Sequence, residues 1–134
     1  MSNFLLEIVT PERKVYADQV DMVMVKGVEG EMGILAHHIP LVTPLKVAPV
    51  IIKQGNTKQY IAVSGGFIEV RKDKVVILAE SAELPGEIDL ERAQAAKERA
   101  EKRVSGKPDE ADYRRAELAL QRAVTRIEVY QHKK

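Results

Sequence analysis

The feature that most constrains the fold is an abrupt change of residue type near position 88. Residues 1–88 contain 22 Val and Ile, whereas residues 89–134 contain 4 Val and Ile together with 8 Ala. β-Branched residues favour strands, while Ala and long charged residues favour helices. The change follows Pro85-Gly86, a pair typical of a connection. The chain is therefore predicted to consist of a strand-rich domain over residues 1–84 and a helical domain over residues 85–134.

The strand-rich half is built from short β-branched runs separated by turn residues. Gln54-Gly55-Asn56 and Arg71-Lys72-Asp73 are two of these separators. Connections of only a few residues favour a sandwich or a flattened barrel over a βαβ fold. Seven runs are predicted as strands, at residues 5–9, 14–17, 20–26, 47–53, 59–64, 66–70 and 74–79.

The second half predicts two helices. Asp89 is placed to cap a helix that Ser105-Gly106-Lys107-Pro108 ends, and Asp109 is placed to cap a second helix that reaches about Gln131. The second helix has an apolar seam with 3-4-3-4-3 spacing, which suits either an antiparallel hairpin or a partner helix. The seam consists of Tyr113, Ala116, Leu120, Ala123, Ile127 and Tyr130.

The first helix has only a weak apolar stripe. Three of its five positions, 90, 93, 96, 100 and 104, are Ala. Alanine buries little area, and burial contributes only ~25 cal/mol per Å², so contact along this stripe stabilises little. The helical pair is therefore a candidate for an element that moves relative to the first domain.

The charge of the chain is nearly balanced, with 21 Lys and Arg against 20 Asp and Glu. This balance argues against a nucleic-acid-binding protein. No apolar run approaches the ~20 residues of a membrane span, so no direct membrane insertion is predicted. The start of the chain lacks the features of a signal peptide, which predicts a cytoplasmic protein. The near-balanced total is the sum of two halves of opposite net charge, −2 for residues 1–88 and +3 for residues 89–134.

No residue pattern points to catalysis or to a metal. The chain has no Cys, which excludes a thiol nucleophile and a thiolate site. Ser64-Gly65-Gly66 lacks the pattern of a nucleophile elbow and is interpreted as a turn or bulge. The adjacent His37-His38 diverge on any regular element, and the third histidine, His132, lies in the tail. No metal site and no catalytic residue are therefore predicted.

The arginines of the helical half form two faces. Asp89, Arg92, Ala93 and Arg99 share one stripe of the first helix, and Arg115, Arg122 and Arg126 share one face of the second. With only Asp89 and Glu83 as matching carboxylates, converging guanidiniums would bind an anion such as a polyphosphate. Alternatively, these arginines are exposed charges that support the helices through i,i+4 pairs such as Glu98–Lys102. Spacing alone leaves both interpretations open.

Four segments, in this order, resemble the epsilon subunits of bacterial F-type ATP synthases, and in particular those of thermophilic bacilli. They are Gly30-Glu31-Met32-Gly33-Ile34-Leu35, His38-Ile39-Pro40-Leu41-Val42, Tyr60-Ile61-Ala62-Val63-Ser64-Gly65-Gly66-Phe67 and Arg115-Ala116-Glu117-Leu118-Ala119-Leu120. One departure is Ala36-His37, where many members of that family have Pro-Gly, and it leaves the shape of this loop open.

The resemblance implies a ten-stranded β-sandwich followed by an antiparallel two-helix hairpin. It also implies a non-catalytic rotor subunit, peripheral on the cytoplasmic face of the cell membrane, with the gamma subunit, the c-ring and the alpha/beta catalytic head as partners. The segment 29–45 combines apolar residues with poor strand periodicity and is our predicted docking region for gamma and the c-ring. Its candidate contacts are Glu31, His38, Pro40, Leu41 and Val42.

The family motif Ile/Leu-Asp-x-x-Arg-Ala, which marks an ATP site, is matched without a gap at residues 88–93. The resemblance thus implies regulatory ATP, with or without Mg²⁺, held by Glu83, Ile88, Asp89, Arg92, Ala93, Arg99, Arg122 and Arg126. At low ATP the hairpin is expected to open and to inhibit hydrolysis through contacts with the beta subunit. The residues expected to make these contacts are Arg114, Arg115, Arg122 and Arg126.

Two other functions remain open at this point. A stand-alone ATP-sensing module would bind ATP without a synthase partner. A structural adaptor would dock through its sandwich, neither bind ATP nor inhibit, and keep its hairpin folded.

Overall fold

Ten β-strands precede two helices in the computed structural model, which describes residues 2–133. The strands are β1 (Phe4–Val9), β2 (Lys14–Val20), β3 (Met22–Gly27), β4 (Gly30–Leu35), β5 (Leu41–Leu45), β6 (Ala48–Gln54), β7 (Thr57–Val63), β8 (Gly66–Val70), β9 (Lys74–Ala79) and β10 (Ala82–Glu83). A short 3-10 turn, Pro85–Glu87, leads into α1 (Leu90–Ser105) and α2 (Glu110–Gln131). The predicted α+β fold, a ten-stranded sandwich followed by a helical hairpin, is confirmed.

The strands form two layers that join at one point. One layer has the order β10-β7-β6-β3-β4 and the other β5-β8-β9-β1-β2, and they meet where Gly27 of β3 pairs with Leu45 of β5. Paired strands are antiparallel except for β1 and β9, which run parallel. Buried side chains from both layers, among them Leu6, Val23 and Ile68, form the main core between them.

The seven predicted runs coincide with strands, although the run 20–26 spans the corner between β2 and β3. The strands β4 and β5 lie in the segment whose periodicity is poor. β4 contains Gly30 and Gly33, and β5 contains Pro44, residues that do not favour strands. Both strands form because all of β4 pairs with β3 and all of β5 pairs with β8.

Gly66 is required by the packing of the backbone. Its φ is 112°, and a Cβ built there would lie 2.0 Å from the carbonyl oxygen of Leu78 on β9. Only glycine tolerates both this conformation and this approach. The Ser64-Gly65-Gly66 segment is therefore explained by strand geometry, in agreement with its interpretation as a turn or bulge.

Among residues 2–133, two residues other than glycine adopt a positive φ, His37 at 66° and Lys107 at 56°. His37 lies just after β4, in the loop whose shape the sequence left open. Lys107 lies in the turn between the helices, whereas Gly106 has an ordinary φ of −80°. The left-handed residue that ends α1 is therefore Lys107 rather than the neighbouring glycine.

Both helices begin where the sequence predicts. The Asp89 carboxylate accepts a hydrogen bond of 3.1 Å from the backbone N–H of Arg92, and the Asp109 carboxylate accepts one of 2.8 Å from Asp112. Each aspartate thus satisfies a backbone donor that the first helical turn leaves without a partner.

The helices pack against each other as an antiparallel hairpin. The contact buries Ala93 and Ala100 of α1 together with Ala116 and Ala123 of α2. Tyr113, predicted at the start of the seam, is 43% exposed and lies outside this buried strip. Of the two alternatives for the seam, the structure shows the hairpin, since Ala116 and Ala123 are buried where α2 packs on α1.

Candidate functional site

The hairpin meets the sandwich at a small hydrophobic cluster that is separate from the main core. Val129 of α2 is completely buried against Ala62 of β7 and Ile88, and Tyr60 and Tyr130 pack around them. Thr125, one turn before Val129, is also buried. The seam pattern did not predict either α2 residue, because they lie on a second face of α2 that packs on β6 and β7.

The residues of the ATP motif lie at this junction, around the first turn of α1. Ile88 and Ala93 are buried, whereas Asp89 and Arg92 are exposed. Asp89 uses one carboxylate oxygen to cap the helix and keeps its other oxygen available. The motif therefore combines a fixed apolar floor with one exposed carboxylate and one exposed guanidinium.

Glu83 and Arg126 are brought into direct contact. The Nε of Arg126 on α2 donates a hydrogen bond to Glu83 at the end of β10, and both side chains are 32% exposed. They are 43 residues apart in sequence. The structure thus joins two of the predicted ATP ligands in one ion pair across the junction.

The other arginines predicted to bind ATP differ from Arg126 in this respect. Within residues 2–133, neither Arg92, Arg99 nor Arg122 takes part in an ion pair. Arg122 lies one helical turn before Arg126, and Arg99 lies two turns after Arg92, about 10 Å along α1. Guanidiniums without carboxylate partners can bind phosphate oxygens in a bidentate manner. No side-chain hydrogen bond links the motif residues to Glu83 or Arg126 in the described chain.

Two arginines of α2 do have partners that the sequence interpretation overlooked. Arg115 donates to Asp112 at 2.6 Å, and Arg114 lies 3.8 Å from Glu110. The expectation that only Asp89 and Glu83 supply matching carboxylates is therefore wrong. These pairs are local and exposed, so they are the helix-supporting pairs of the alternative interpretation, and each contributes little to stability. The i,i+4 pair Glu98–Lys102, which the alternative interpretation expected, is not among the ion pairs of residues 2–133.

A groove lies at the turn end of the hairpin. Its volume is about 630 Å³, and its lining includes Arg103, Arg115 and Arg122 around the apolar side chain of Leu118. Leu118 is 42% exposed. This end of the hairpin therefore presents a cationic surface with an apolar centre, which suits an acidic protein surface.

The predicted docking residues lie along β4 and the connection that follows it. Glu31 is exposed on β4, which within the described residues pairs only with β3. His38 and Pro40 lie in the connection to β5, where a ring nitrogen of His38 is 2.7 Å from the carbonyl oxygen of Ile39. Val42 is 63% exposed, whereas Leu41 is half-buried and packs against the main core. The set is therefore spread along one edge of the sandwich.

An exposed apolar face begins at the predicted docking residue Val42 and extends to Phe67 and Leu78, which the sequence reasoning missed. Pro44 on β5 pairs with Phe67 on β8, which pairs with Leu78 on β9, so the three side chains lie in one row on one face. Phe67 is 49% exposed and Leu78 is 47% exposed. We call Val42, Pro44, Phe67 and Leu78 the apolar face. Phe67 is the last residue of segment 60–67, one of the four segments that carry the family resemblance. Its place in that segment was a signal from which the sequence could have predicted a functional role.

The described residues contain no metal cluster and no membrane-spanning helix. Within residues 2–133, no three His, Asp or Glu side chains are grouped so that they could hold a metal ion. In the same part of the chain, neither helix combines the length and the apolar composition needed to cross a bilayer.

The fold and these surfaces define the class as a two-part chain. A β-sandwich with an exposed apolar face is joined to a helical hairpin with an excess of basic residues. Two family models match the chain, "ATP synthase, Delta/Epsilon chain, beta-sandwich domain" over residues 3–85 and "ATP synthase, Delta/Epsilon chain, long alpha-helix domain" over residues 87–131. The chain belongs to the ATP synthase delta/epsilon family. The resemblance carried by the four sequence segments is confirmed.

Relatives named ATP synthase epsilon chain match most of the chain. One from Alkalihalophilus pseudofirmus is 59% identical over 130 residues, which covers 96% of this chain and 98% of the relative. One from Brevibacillus brevis is 62% identical over 108 residues, covering 80% of this chain and 82% of the relative. A chain in a structure of Euglena gracilis mitochondrial ATP synthase, described as OSCP/F1/c-ring, has a TM-score of 0.82 at 29% identity and covers 98% of this chain and 83% of its own length.

Proposed function

We propose that this chain is a non-catalytic central-stalk subunit of an F-type proton-translocating ATP synthase. As part of the rotor, it couples rotation of the c-ring and the gamma subunit to the catalytic head. The observation that carries the proposal is the exposed apolar face of Val42, Pro44, Phe67 and Leu78 in a chain whose relatives are ATP synthase epsilon chains. A contiguous set of exposed apolar side chains is typical of a surface that contacts another protein. The complex would hold the subunit peripherally on the cytoplasmic face of the cell membrane.

The docking surface would have two parts. The apolar face would pack on gamma, because apolar residues at the centre of an interface contribute most of its affinity. The exposed edge with Glu31, His38 and Pro40 would meet the polar surface of the c-ring, with Leu41 and Val42 connecting the two parts. The structure matched in Euglena contains F1 and a c-ring, which supports partners in these two parts of the synthase.

The docking proposal is tested by Phe67→Ser in a co-purification assay with gamma. The matched control is Tyr113→Ser, since Tyr113 is an aromatic residue of similar exposure, 43%, on the hairpin. Phe67→Ser should lower gamma affinity at least tenfold, and Tyr113→Ser should leave it unchanged. Equal affinities of the two variants would contradict the assignment of the apolar face.

The hairpin would regulate hydrolysis through ATP. ATP, with or without Mg²⁺, would bind at the junction, where Ile88 and Ala93 form the apolar floor and Asp89 and Glu83 accept from the base. The four arginines Arg92, Arg99, Arg122 and Arg126 would hold the phosphates. If ATP binds only the folded hairpin, it stabilises that state by RT ln(1 + [ATP]/Kd), about 2.7 kcal/mol at a hundredfold excess over Kd. At low ATP the hairpin would open, and Arg114, Arg115, Arg122 and Arg126 would meet acidic residues of beta and block hydrolytic rotation.

ATP binding is tested by calorimetry on the isolated chain carrying Asp89→Asn and Arg92→Gln. Asparagine caps a helix as well as aspartate, so this variant removes the charges and keeps α1 intact. The control is Glu91→Gln with Arg103→Gln, which changes an exposed acid and an exposed arginine of the same helix. ATP affinity should fall at least tenfold only in the first variant. Unchanged affinity there would contradict the site.

Inhibition is tested by ending the chain after Glu87 in the reconstituted enzyme. This end point keeps β10 and the whole 3-10 turn. ATP hydrolysis at low ATP should rise while gamma binding persists. Unchanged hydrolysis would exclude the inhibitory role, and ATP binding by a full chain that does not bind gamma would instead favour a stand-alone sensor.

A further inference from the structure

The hairpin is attached to the sandwich almost entirely through α2. The helix α1 packs along α2, and α2 packs on β6, β7 and the 3-10 turn. The buried contact consists of Val129, Ala62 and Ile88, whereas the main core has eighteen buried residues. Hydrophobic stabilisation is proportional to the buried apolar area, so this contact stabilises much less than the main core does.

An aromatic stack closes this contact at the end of the chain. The rings of Tyr60 on β7 and His132, just beyond α2, have centroids 3.9 Å apart and planes 11° apart. The His132 ring is held in place by an Nδ1 contact of 3.0 Å with the carbonyl oxygen of Glu128. We call Val129, Tyr60 and His132 the latch. These three residues connect the last turns of α2 to the strand beneath them.

A different contact holds the 3-10 turn that precedes the hairpin. Arg13, in the connection between β1 and β2, donates to both carboxylate oxygens of Glu87 at 2.7 Å. Glu87 also accepts from the backbone N–H of Leu84 at 2.9 Å. The Arg13 guanidinium and this N–H hold the pKa of Glu87 below its ordinary value. This clamp, Arg13 with Glu87, lies within the sandwich and its last connection and involves no residue of α1 or α2.

We propose that the clamp is the fixed hinge point of the hairpin and that the latch is the contact that must open for the hairpin to leave the sandwich. The inference rests on the hairpin movement of the proposed function. A contact that is the same in both states cannot shift the equilibrium between them, whereas a contact present in only one state shifts it by its full contribution. Weakening the clamp should therefore leave the population of the open hairpin unchanged, whereas weakening the latch should increase it.

Opening is measurable through the accessibility of the strand beneath the hairpin. Ala62 is 3% exposed and lies under Val129. The chain contains no Cys, so the substitution Ala62→Cys introduces a single thiol whose modification rate reports the open population. Val23→Cys, at a completely buried position of the main core, reports unfolding of the sandwich in the same assay.

The test compares two valines of the same helix. In the Ala62→Cys background, Val129→Ala should raise the modification rate at least tenfold, and Val124→Ala, at a position that is 42% exposed, should raise it less than twofold. His132→Ala, which removes the stacked ring from the end of the chain and does not threaten folding, should raise it about threefold or more. The rate in the Val23→Cys background should stay unchanged in all three variants.

The hinge is tested by Glu87→Gln in the Ala62→Cys background. The rate should change less than twofold, while hydrogen exchange of the Leu84 amide should become faster. An increase equal to that of Val129→Ala would overturn the hinge, and equal rates for Val129→Ala and Val124→Ala would overturn the latch. The assay contains no ATP and no synthase subunit, so failure of the ATP site or of gamma docking would leave these rates unaffected.

Discussion

The guanidinium of Arg126 on α2 donates a hydrogen bond to the carboxylate of Glu83 on β10, and this ion pair bridges the helical hairpin and the sandwich. Both residues are proposed to bind ATP. The carboxylate of Glu83 neutralises the guanidinium of Arg126, so a phosphate that binds Arg126 would compete with Glu83 for it.

The Glu83–Arg126 pair should couple hairpin docking to ATP. In a double-mutant cycle with Glu83→Gln and Arg126→Gln, we expect a coupling energy of about 0.5–1 kcal/mol without ATP, because the pair is partly exposed. The readout is modification of the thiol introduced by Ala62→Cys. At saturating ATP the coupling should approach zero, since the phosphates take over Arg126. A coupling that ATP leaves unchanged would argue against a role of Arg126 in phosphate binding.

Gly66→Ala should destabilise the sandwich by about 3 kcal/mol or more, because strain from a positive φ adds to a collision with the backbone of β9. The matched control is Gly55→Ala, where φ is 58° but the space is open, and its cost should be only about 1 kcal/mol. Urea unfolding of both variants gives the difference. Equal losses of unfolding free energy in the two variants would show that the close approach of the Leu78 carbonyl oxygen adds no cost at position 66.

His37→Gly should stabilise the protein by about 0.5–1 kcal/mol. Relief of the left-handed conformation exceeds the additional entropy that glycine has in the unfolded chain. Ala36→Gly is the control, since Ala36 does not have a positive φ, and it should be neutral or destabilising. Urea midpoints at pH 7 measure both variants, and a loss of stability in His37→Gly would contradict the strain at this loop.

Acid should weaken the fold partly through Glu7. Hydrogen bonds from Lys14 and Lys74 lower the pKa of Glu7 from 4.5 to about 2. Because the folded pKa is depressed, the stabilisation is fully present above about pH 4.5 and is lost as the pH falls toward 2. Glu7→Gln should therefore lower stability at pH 7 and should reduce the further loss between pH 4.5 and 2.

The control for Glu7 is Glu12→Gln, an exposed position that makes no ion pair within residues 2–133. Unfolding by urea at several pH values measures both variants. If Glu12→Gln and Glu7→Gln showed the same pH profile, the two lysine contacts of Glu7 would not be stabilising.

The ATP motif, the docking edge and the arginine faces were predictable as sets of residues, and their use stays a prediction until binding is measured. The ion pair between Glu83 and Arg126 was not predictable as a contact, because 43 residues separate its partners. The extension of the apolar face to Phe67 and Leu78 was also not predictable, because it depends on the pairing of separate strands. Phe67 and Leu78 come together only when β8 pairs with β9 in one particular register.

By itself, the sequence determined the elements whose causes are local. Asp89 and Asp109 cap their helices, and the alanines of the seam pack together, because capping and helical spacing involve residues only a few positions apart. Tertiary structure alone decided the rest. β4 and β5 became strands through pairing, and Val129 and Thr125 became buried because α2 rests on the sandwich. The Arg13–Glu87 clamp joins residues 74 positions apart. Such contacts depend on which surfaces the folded chain brings together, and no short-range pattern records that.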